Sequence, residues 1–312
     1  MAMSRKLPIE VERVELRSRN LIPGRLARFL SLRLPPAVVL GLVYGASIGS
    51  RTRPDIVLSA GGKTLAANVA FRKAFRTLNI FSGTPRHVGS KHFSLVLTPY
   101  RSQAALPNTL CALKPSALDP DALPSPKPFP AAGFRVGVLV GGAIPSANFT
   151  MDDWRALCRL LKGLHDECAC ELTIVTSRRT PVDFYAAYDE IVRGDQETVH
   201  LVDYRKPGTG SINDGYAADA ILVTSDSMSM ITEGCAARRP VVVLEPDITQ
   251  PFRDGEAVKT LAENGYLAVR RVRTASPAEV TSIFTSLVPM KANHLDVLAE
   301  AVVSALDKCH EA

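Results

Sequence analysis

The sequence lacks the long apolar segments that mark membrane proteins. No run of 18 uninterrupted apolar residues occurs among its 312 residues, and the best candidate, residues 34–49, is broken by Pro35 and Pro36. A membrane-spanning helix needs about 20 consecutive, mostly apolar residues. Residues 1–20 are too highly charged for a secretory signal peptide. We therefore expect a cytoplasmic protein.

The cysteines do not form a metal-binding or disulfide pattern. The six cysteines include no C-x-x-C pair, and Cys168 and Cys170 have no His pair nearby in the sequence. Structural zinc sites use closely spaced Cys and His ligands. We therefore predict no metal site and expect reduced, mostly buried thiols, as in most cytoplasmic proteins.

Two common nucleotide-binding motifs are absent. GGKT at 61–64 looks like the end of a P-loop, but that motif requires a glycine six residues before the lysine, where this chain has Val57. No G-x-G-x-x-G follows a predicted strand, which disfavours NAD. ATP or GTP hydrolysis is therefore not predicted, and no cofactor is expected. The turn at 61–64 is interpreted either as an anion site for an acceptor or as a tight turn with an exposed lysine.

Charge is distributed unevenly along the chain. Residues 1–130 contain 19 Lys+Arg and 6 Asp+Glu, a net charge of +13, and the remainder contains 18 and 25, a net charge of −7; together these give +6. Aromatic residues are only 6% and no nucleic-acid motif is present, so no nucleic-acid partner is expected. A basic half usually contacts an anionic partner. An anionic membrane surface at the inner membrane, or an anionic glycan or lipid-linked acceptor, fits this half; a solvated basic face is the alternative.

A proline-rich stretch divides the chain. Residues 119–130 contain five prolines, which cannot continue a helix or a central strand. We predict a basic N-terminal α/β domain, a connector, a second α/β domain and a C-terminal helix, over residues 1–118, 119–133, 134–290 and 291–312. Alternating strands and helices on both sides favour two Rossmann-like parallel-sheet domains that face a cleft.

The periodicity of apolar residues predicts individual elements within this division. In the first domain we predict a helix over 21–34, a strand, turn and helix over 54–75, and strands at 9–16, 93–99 and 108–113. In the second domain we predict strands at 134–140, 171–176, 199–202, 220–223 and 241–245. Its predicted helices are 152–164, capped by Thr150, then 181–193 and 227–237, and residues 277–310 are expected to be mostly helical.

Polar residues follow three predicted strands of the second domain, where carboxyl ends of parallel strands meet. Glycines there allow close approach of a ligand, arginines match phosphate oxygens, and a helix start attracts a phosphate. Glu233 comes six residues after Ser227 and can reach a ribose hydroxyl. The predicted nucleotide-sugar-binding residues are Gly141, Gly142, Ser177, Arg178, Arg179, Thr180, Ser225, Asp226, Ser227, Met228, Ser229 and Glu233. The alternative is an ordinary capped helix with core methionines.

The segment VTSDSMSMITEGCAARRPVVVLEP at 223–246, with VLVGGA at 138–143 and TSRRTP at 176–181, resembles the mitochondrial fission factor-like family of bacteria and plants. SAGGKT at 59–64 fits its first domain. The resemblance covers about residues 50–250 and implies a fold similar to GT-B glycosyltransferases. More remotely, the chain is similar to the lipid-linked N-acetylglucosaminyltransferase of peptidoglycan synthesis, which implies that Glu233 holds the donor ribose.

The chain departs from this resemblance in two places. Most of a strand and glycine-containing loop that the family has before residues 9–16 is missing, so we expect a shortened first domain. The stretch between 202 and Tyr216 also looks altered, so we place the base-side contacts near Asn213 and Tyr216.

The leading functional prediction is a metal-independent, GT-B-like glycosyltransferase that moves a sugar from a nucleotide-diphosphate sugar to a cell-envelope glycan or glycolipid acceptor. The sequence does not identify the catalytic base. We nominate His87, because a loop histidine can act as a general base at neutral pH, and Lys63. The alternatives are a non-catalytic interaction or scaffold protein on the same fold and a nucleotide-sugar epimerase.

Overall fold

The computed structural model describes residues 9–19, 22–49, 52–142, 144, 147–192, 197–247 and 254–310. Contacts divide the chain into two compact units, Met1–Ala117 with His294–Ala312, and Leu118–Asn293. The C-terminal helix thus belongs to the first unit, and the whole proline-rich connector belongs to the second. No helix within the described part of the chain is long and apolar enough to cross a membrane.

The first unit is a four-stranded parallel sheet with helices. Its elements are α1 (Gly24–Arg33), α2 (Pro36–Tyr44), β1 (Ile56–Ala60), α3 (Leu65–Phe75), β2 (Leu78–Ser82), β3 (Leu95–Thr98) and β4 (Thr109–Cys111), followed by the C-terminal helix His294–His310. The strands lie in the order β1-β2-β3-β4. On β2, Ile80 packs with Leu298 of the C-terminal helix, whereas Phe81 packs with Leu65 and Val69 of α3. The alternation of side chains along a strand therefore gives this sheet an apolar core on both faces.

The strand predicted at residues 9–16 is wrong. These residues form no strand, although the alternation is real, because Val14 and Leu16 pack against the apolar cluster of α1, α2 and α3. An extended segment becomes a strand only when a neighbouring strand accepts its backbone hydrogen bonds. The alternation of apolar residues here shows only that one side of the segment is buried; the segment does not pair with a neighbouring strand.

The second unit contains a six-stranded parallel sheet. Its elements are β5 (Arg135–Val140), α4 (Met151–Asp166), β6 (Glu171–Thr176), α5 (Val182–Ile191), β7 (Val199–Val202), α6 (Ile212–Tyr216), β8 (Ala220–Thr224), α7 (Met228–Ala236), β9 (Val241–Glu245), α8 (Gly255–Glu263), β10 (Leu267–Arg271) and α9 (Pro277–Ser286); the C-terminal helix is α10 (His294–His310). Thr150 caps α4 in a capping box with Asp153, as predicted. Sequence reasoning missed both α8 and β10.

The order of strands in the second sheet creates a topological switch point. The order is β10-β9-β8-β5-β6-β7, with every neighbouring pair parallel. Counted from the first strand of the unit, this is the doubly wound order 3-2-1-4-5-6. The chain leaves β5 toward β6 on one side, and β8 later pairs with β5 on the other. Ligands of such sheets bind at the carboxyl ends of the two central strands, so β5 and β8 define where a site is expected.

The connector is anchored to the amino end of this second sheet. The buried carboxylate of Asp219 accepts hydrogen bonds from the backbone N–H groups of Lys127 (2.9 Å) and Arg135 (2.8 Å). Arg239 donates to the carbonyl oxygens of Ala218 and Pro124. These bonds satisfy buried polar groups on both segments, which explains why the connector residues belong to the second unit.

Gly137 in the middle of β5 allows α6 to lie directly on the sheet. A Cβ atom on Gly137 would overlap the backbone carbonyl oxygen of Gly215 in α6. We expect Gly137→Ala to lower the free energy of unfolding by about 1–3 kcal/mol, as overpacking of a close contact does. Urea denaturation measures this change. The control is Gly41→Ala in α2, where a Cβ meets nothing within 4 Å, and where equal destabilisation would contradict the steric explanation.

Candidate functional site

The candidate site lies at the switch point, where β5 and β8 end side by side. Gly141 and Gly142 follow β5, and Ser225 and Asp226 follow β8, whose last residue is Thr224. The N–H of Gly141 donates to Thr224 Oγ1 at 2.8 Å, and the N–H of Gly142 donates to Asp226 Oδ2 at 2.7 Å. The structure thus brings two of the three predicted polar strand ends into direct contact.

The carboxylate of Asp226 is the centre of this contact. Asp226 is only 5% exposed, and its Oδ1 accepts from Thr224 Oγ1 at 2.6 Å. Its Oδ2, which already accepts from Gly142, lies 3.1 Å from Nη2 of Arg179. Burial raises the pKa of Asp226, whereas the hydrogen bonds from Thr224 and Gly142 and the charge of Arg179 favour the carboxylate form. One side chain therefore joins the ends of β5 and β8 to the loop after β6.

Thr180 fixes the loop after β6 against the end of β5. Its Oγ1 lies 2.8 Å from the carbonyl oxygens of both Val140 and Gly141, and it accepts from the N–H of Ser177 at 2.8 Å. The N–H of Arg179 donates to Ser177 Oγ. All three predicted strand ends consequently form one hydrogen-bonded group.

The glycine pair serves packing within the protein. A Cβ on Gly141 would overlap the carboxylate of Asp226, and a Cβ on Gly142 would overlap the backbone carbonyl of Arg179. The sequence predicted these glycines as places where a ligand approaches the backbone. In the structure, the atoms that approach them belong to Asp226 and Arg179.

The start of α7 presents hydroxyl groups that the protein does not use. Ser225 is 6% exposed, and its Oγ is buried without a hydrogen-bond partner in the described part of the chain. Ser227 has extended backbone before the helix, and its side chain makes no capping bond. The first N–H groups of a helix have no intrahelical acceptor and carry partial positive charge. This end of α7 can therefore accept an anion, with Ser225 and Ser227 as additional donors.

Glu233 is held in place by a buried tyrosine. Tyr216 of α6 is 1% exposed and donates its hydroxyl to Glu233 Oε2 at 2.6 Å. Burial, and then the negative charge of Glu233, raise the pKa of Tyr216, so the hydroxyl keeps its proton for this bond. Glu233 itself is half-buried, one and a half helical turns beyond Ser227. The predicted base-side residue Tyr216 thus lies behind Glu233 and positions it.

The remaining predicted site residues lie in several places. Arg178 and Asn213 are exposed, while Met228 is buried and Ser229 half-buried in the first turn of α7. Lys63 and His87 lie on exposed loops of the first unit. Thr224, which bridges Gly141 and Asp226, was not in the predicted binding set; its signal is a hydroxyl at the last position of a buried strand. Among the described residues, no group of three His, Cys, Asp or Glu side chains could hold a metal ion.

We expect Asp226→Ala to destabilise the second unit by about 2–3 kcal/mol, because it removes a charged acceptor from two buried donors. Arg179→Ala removes only the exposed partner of the ion pair, and such pairs contribute about 0–1 kcal/mol. Urea denaturation of the two variants gives the comparison. Equal destabilisation by both would show that the carboxylate is not the centre of the contact.

Comparisons with known proteins agree with this architecture. The family model described as mitochondrial fission ELM1 matches residues 5–303. Among solved structures, the chain is similar to a putative UDP-N-acetylglucosamine 2-epimerase from Listeria monocytogenes, with 12% identity, a TM-score of 0.53, and coverage of 83% of this chain and 74% of that chain. It is similar to S. aureus MnaA, solved with UDP, with 12% identity, a TM-score of 0.52, and coverage of 96% and 82%.

The chain is also similar to MurG of Acinetobacter baumannii, with 15% identity, a TM-score of 0.48, and coverage of 97% of this chain and 81% of that chain. No curated protein sequence matches the chain. Similarity at such identities concerns the fold. The predicted α/β fold with two parallel sheets, of the GT-B kind, is confirmed.

Proposed function

The chain belongs to the mitochondrial fission ELM1 family, and we propose that it binds a nucleoside-diphosphate sugar on its second unit and transfers the sugar to an anionic acceptor. The diphosphate would lie at the start of α7, against Ser225 and Ser227. Glu233 would accept hydrogen bonds from the ribose. The acceptor would be a glycan or glycolipid of the cell envelope.

The observation that carries this proposal is the unpartnered hydroxyl of Ser225 beside the start of α7. A buried polar atom without a partner costs about 1–3 kcal/mol, and a phosphate oxygen would supply the missing partner. Glu233 comes six residues after Ser227, which is about 9 Å along the helix axis because each helical residue adds about 1.5 Å. That separation suits a ligand with a diphosphate at one end and ribose hydroxyls at the other.

The charges around the site fit a diphosphate leaving group. Arg178 is exposed and has no ion-pair or hydrogen-bond partner among the described residues. It is therefore available to contact phosphate oxygens as a bidentate donor. The start of α7 and Arg178 would together offset the negative charge that develops on the diphosphate when the sugar leaves. Arg179 forms an ion pair with Asp226. It would therefore support ligand binding indirectly, by holding the strand ends together.

The first unit supplies the acceptor side of the proposal. Residues 1–117 and 294–312, which form this unit, contain 19 Lys+Arg and 8 Asp+Glu, a net charge of +11, which favours an anionic glycan, a lipid-linked acceptor or an anionic membrane surface. Lys63 and His87 are the nominated bases because both lie on exposed loops of this unit. Neither side chain makes a hydrogen bond or ion pair with the residues that the structure describes.

Epimerisation of a nucleotide sugar is the second candidate. It is favoured by the fold similarity to the putative UDP-N-acetylglucosamine 2-epimerase and to MnaA, both of which have TM-scores above 0.5. Both reactions would use the same nucleotide site on α7. They differ in product, because a transferase releases the nucleoside diphosphate and an epimerase returns the nucleotide sugar.

The binding step is tested by thermal shift and calorimetry with a panel of nucleoside diphosphates and their sugars. A ligand at a hundred times its dissociation constant should add about 2.7 kcal/mol of stability. We expect Arg178→Ala and Glu233→Ala to weaken binding roughly 10- to 100-fold, since each removes charge-assisted hydrogen bonds of about 1.5–3 kcal/mol. Glu263→Ala is the matched control, because it also removes one carboxylate from a helix of the second unit, at an exposed position that pairs with Lys259 at 3.9 Å.

Ser225→Ala gives the sharpest single comparison. It removes a buried hydroxyl that has no described partner, so the unliganded protein should be equally stable or more stable, while nucleotide binding weakens. Loss of stability without loss of binding would give Ser225 a purely structural role. No shift with any nucleotide would overturn both enzymatic candidates and favour a non-catalytic interaction protein. Where binding occurs, product analysis separates transfer from epimerisation.

A further inference from the structure

The first unit contains arginines that have no counter-ion. Arg25, Arg28 and Arg86 make no ion pair with any carboxylate of the described residues. Some other cations of the unit have partners within the protein. Lys73 donates to the carbonyl oxygens of Ser31 and Leu32, both at 2.8 Å. Arg25, Arg28 and Arg86 also lie close together, because the charges of Arg86 and Arg25 both act on Arg28.

Arg28 is the most unusual member of this group because it is buried. It lies on the inward face of α1, is 7% exposed, and its Nε is buried with no hydrogen-bond partner in the part of the chain that the structure describes. Burial lowers the pKa of Arg28, and the neighbouring charges of Arg86 and Arg25 lower it further. A buried guanidinium beside two other cations and without an acceptor is costly, and an anion bound at Arg86 would offset part of that charge.

Arg86 places a second guanidinium beside this one. It begins the short 3₁₀ turn Arg86–Val88, which packs against α1. Its φ of 51° is in the left-handed region, which is uncommon for arginine. A Cβ on Gly62 would lie 3.2 Å from Cζ of Arg86. The absence of a side chain at Gly62 thus leaves room for the guanidinium over the turn that leads into α3.

A cavity opens next to Arg86. Its volume is about 370 Å³, and its lining includes Arg86, Lys91, Thr84, Ser90 and Gln103. Ser90 is 5% exposed, and no residue of the described chain forms a hydrogen bond with its hydroxyl. The volume falls in the range of small-ligand sites, about 300–1,000 Å³. Two cations and an unused hydroxyl at one cavity are the donors that an oxyanion requires.

We propose that this cavity binds a phosphate or diphosphate group, with Arg86, Lys91 and Ser90 as direct donors and Arg28 as the charge behind Arg86. The assignment of that group to the acceptor substrate rests on the proposed transferase function, whereas the oxyanion site itself does not. The acceptor is then a phosphorylated or diphosphate-linked molecule, held by its phosphate on the first unit.

The test uses the full-length protein and inorganic pyrophosphate as the probe, measured by calorimetry with and without saturating UDP. UDP is included because pyrophosphate could also occupy the start of α7. We expect a component of pyrophosphate binding that UDP does not displace and that Arg86→Ala weakens at least tenfold. Arg53→Ala is the matched control, because it removes one exposed guanidinium that donates only to the carbonyl of Arg76.

Arg28→Met separates binding from folding. It removes a buried charge without its anion, so the unliganded protein should unfold at the same or a higher temperature, while the UDP-insensitive component weakens. Equal weakening by Arg86→Ala and Arg53→Ala, or complete displacement by UDP, would overturn the site. If UDP does not bind but Arg86→Ala still abolishes pyrophosphate binding, the oxyanion site stands and the transferase proposal fails.

Two competitors identify the source of the phosphate. Displacement of pyrophosphate by vesicles that contain phosphatidic acid, but not by glucose 1-phosphate, indicates a lipid-borne phosphate. Displacement by the soluble sugar phosphate indicates a phosphorylated sugar. Either result supports the oxyanion site, and failure of both competitors would overturn the assignment to a phosphorylated acceptor.

Discussion

The candidate site of the second unit depends on the contacts of one buried carboxylate, that of Asp226. It accepts from Thr224 and from the N–H of Gly142, and it pairs with Arg179. These three contacts join segments that follow β5, β6 and β8. A parallel sheet brings such strand ends to one edge but leaves their loops unconnected. The carboxylate connects them, and the position of α7, which starts two residues later, follows from it.

This arrangement separates the residues that build the edge from those available to a ligand. The residues that build the edge form hydrogen bonds with one another. The N–H of Gly141 donates to Thr224, the N–H of Gly142 donates to Asp226, and the hydroxyl of Thr180 donates to the carbonyl oxygen of Gly141. Gly142 was predicted as a place where a ligand approaches the backbone, but its N–H already donates to the carboxylate of Asp226. Ser225 and Ser227 remain unused by the protein. The proposed ligand would therefore lie over the start of α7, where these hydroxyls are, and would not contact the N–H groups of the glycine pair.

Local patterns predicted much of the fold, and long-range contacts account for the rest. Strands 171–176 and 199–202 and the cap Thr150 were predicted correctly, because periodicity and capping are written in adjacent residues. The strand at 9–16 was wrong because pairing depends on a distant neighbour. The hydroxyl of Tyr216 reaches Glu233 across 17 residues of chain, and no spacing rule indicates that bond. The burial of Arg28 depends on how α1 packs against other elements, and no local pattern indicates it.

Ser225 and Arg28 present the same physical problem in different units. Each is more than nine-tenths buried, and each has a polar atom without a described partner. Folding removes such an atom from water without replacing its hydrogen bond, so the isolated protein is less stable than an apolar substitution would make it. A phosphate oxygen at the start of α7 would accept from the hydroxyl of Ser225, and a phosphate bound at Arg86 would offset the charge of Arg28 behind it. A phosphorylated donor and a phosphorylated acceptor therefore form one consistent interpretation of this chain.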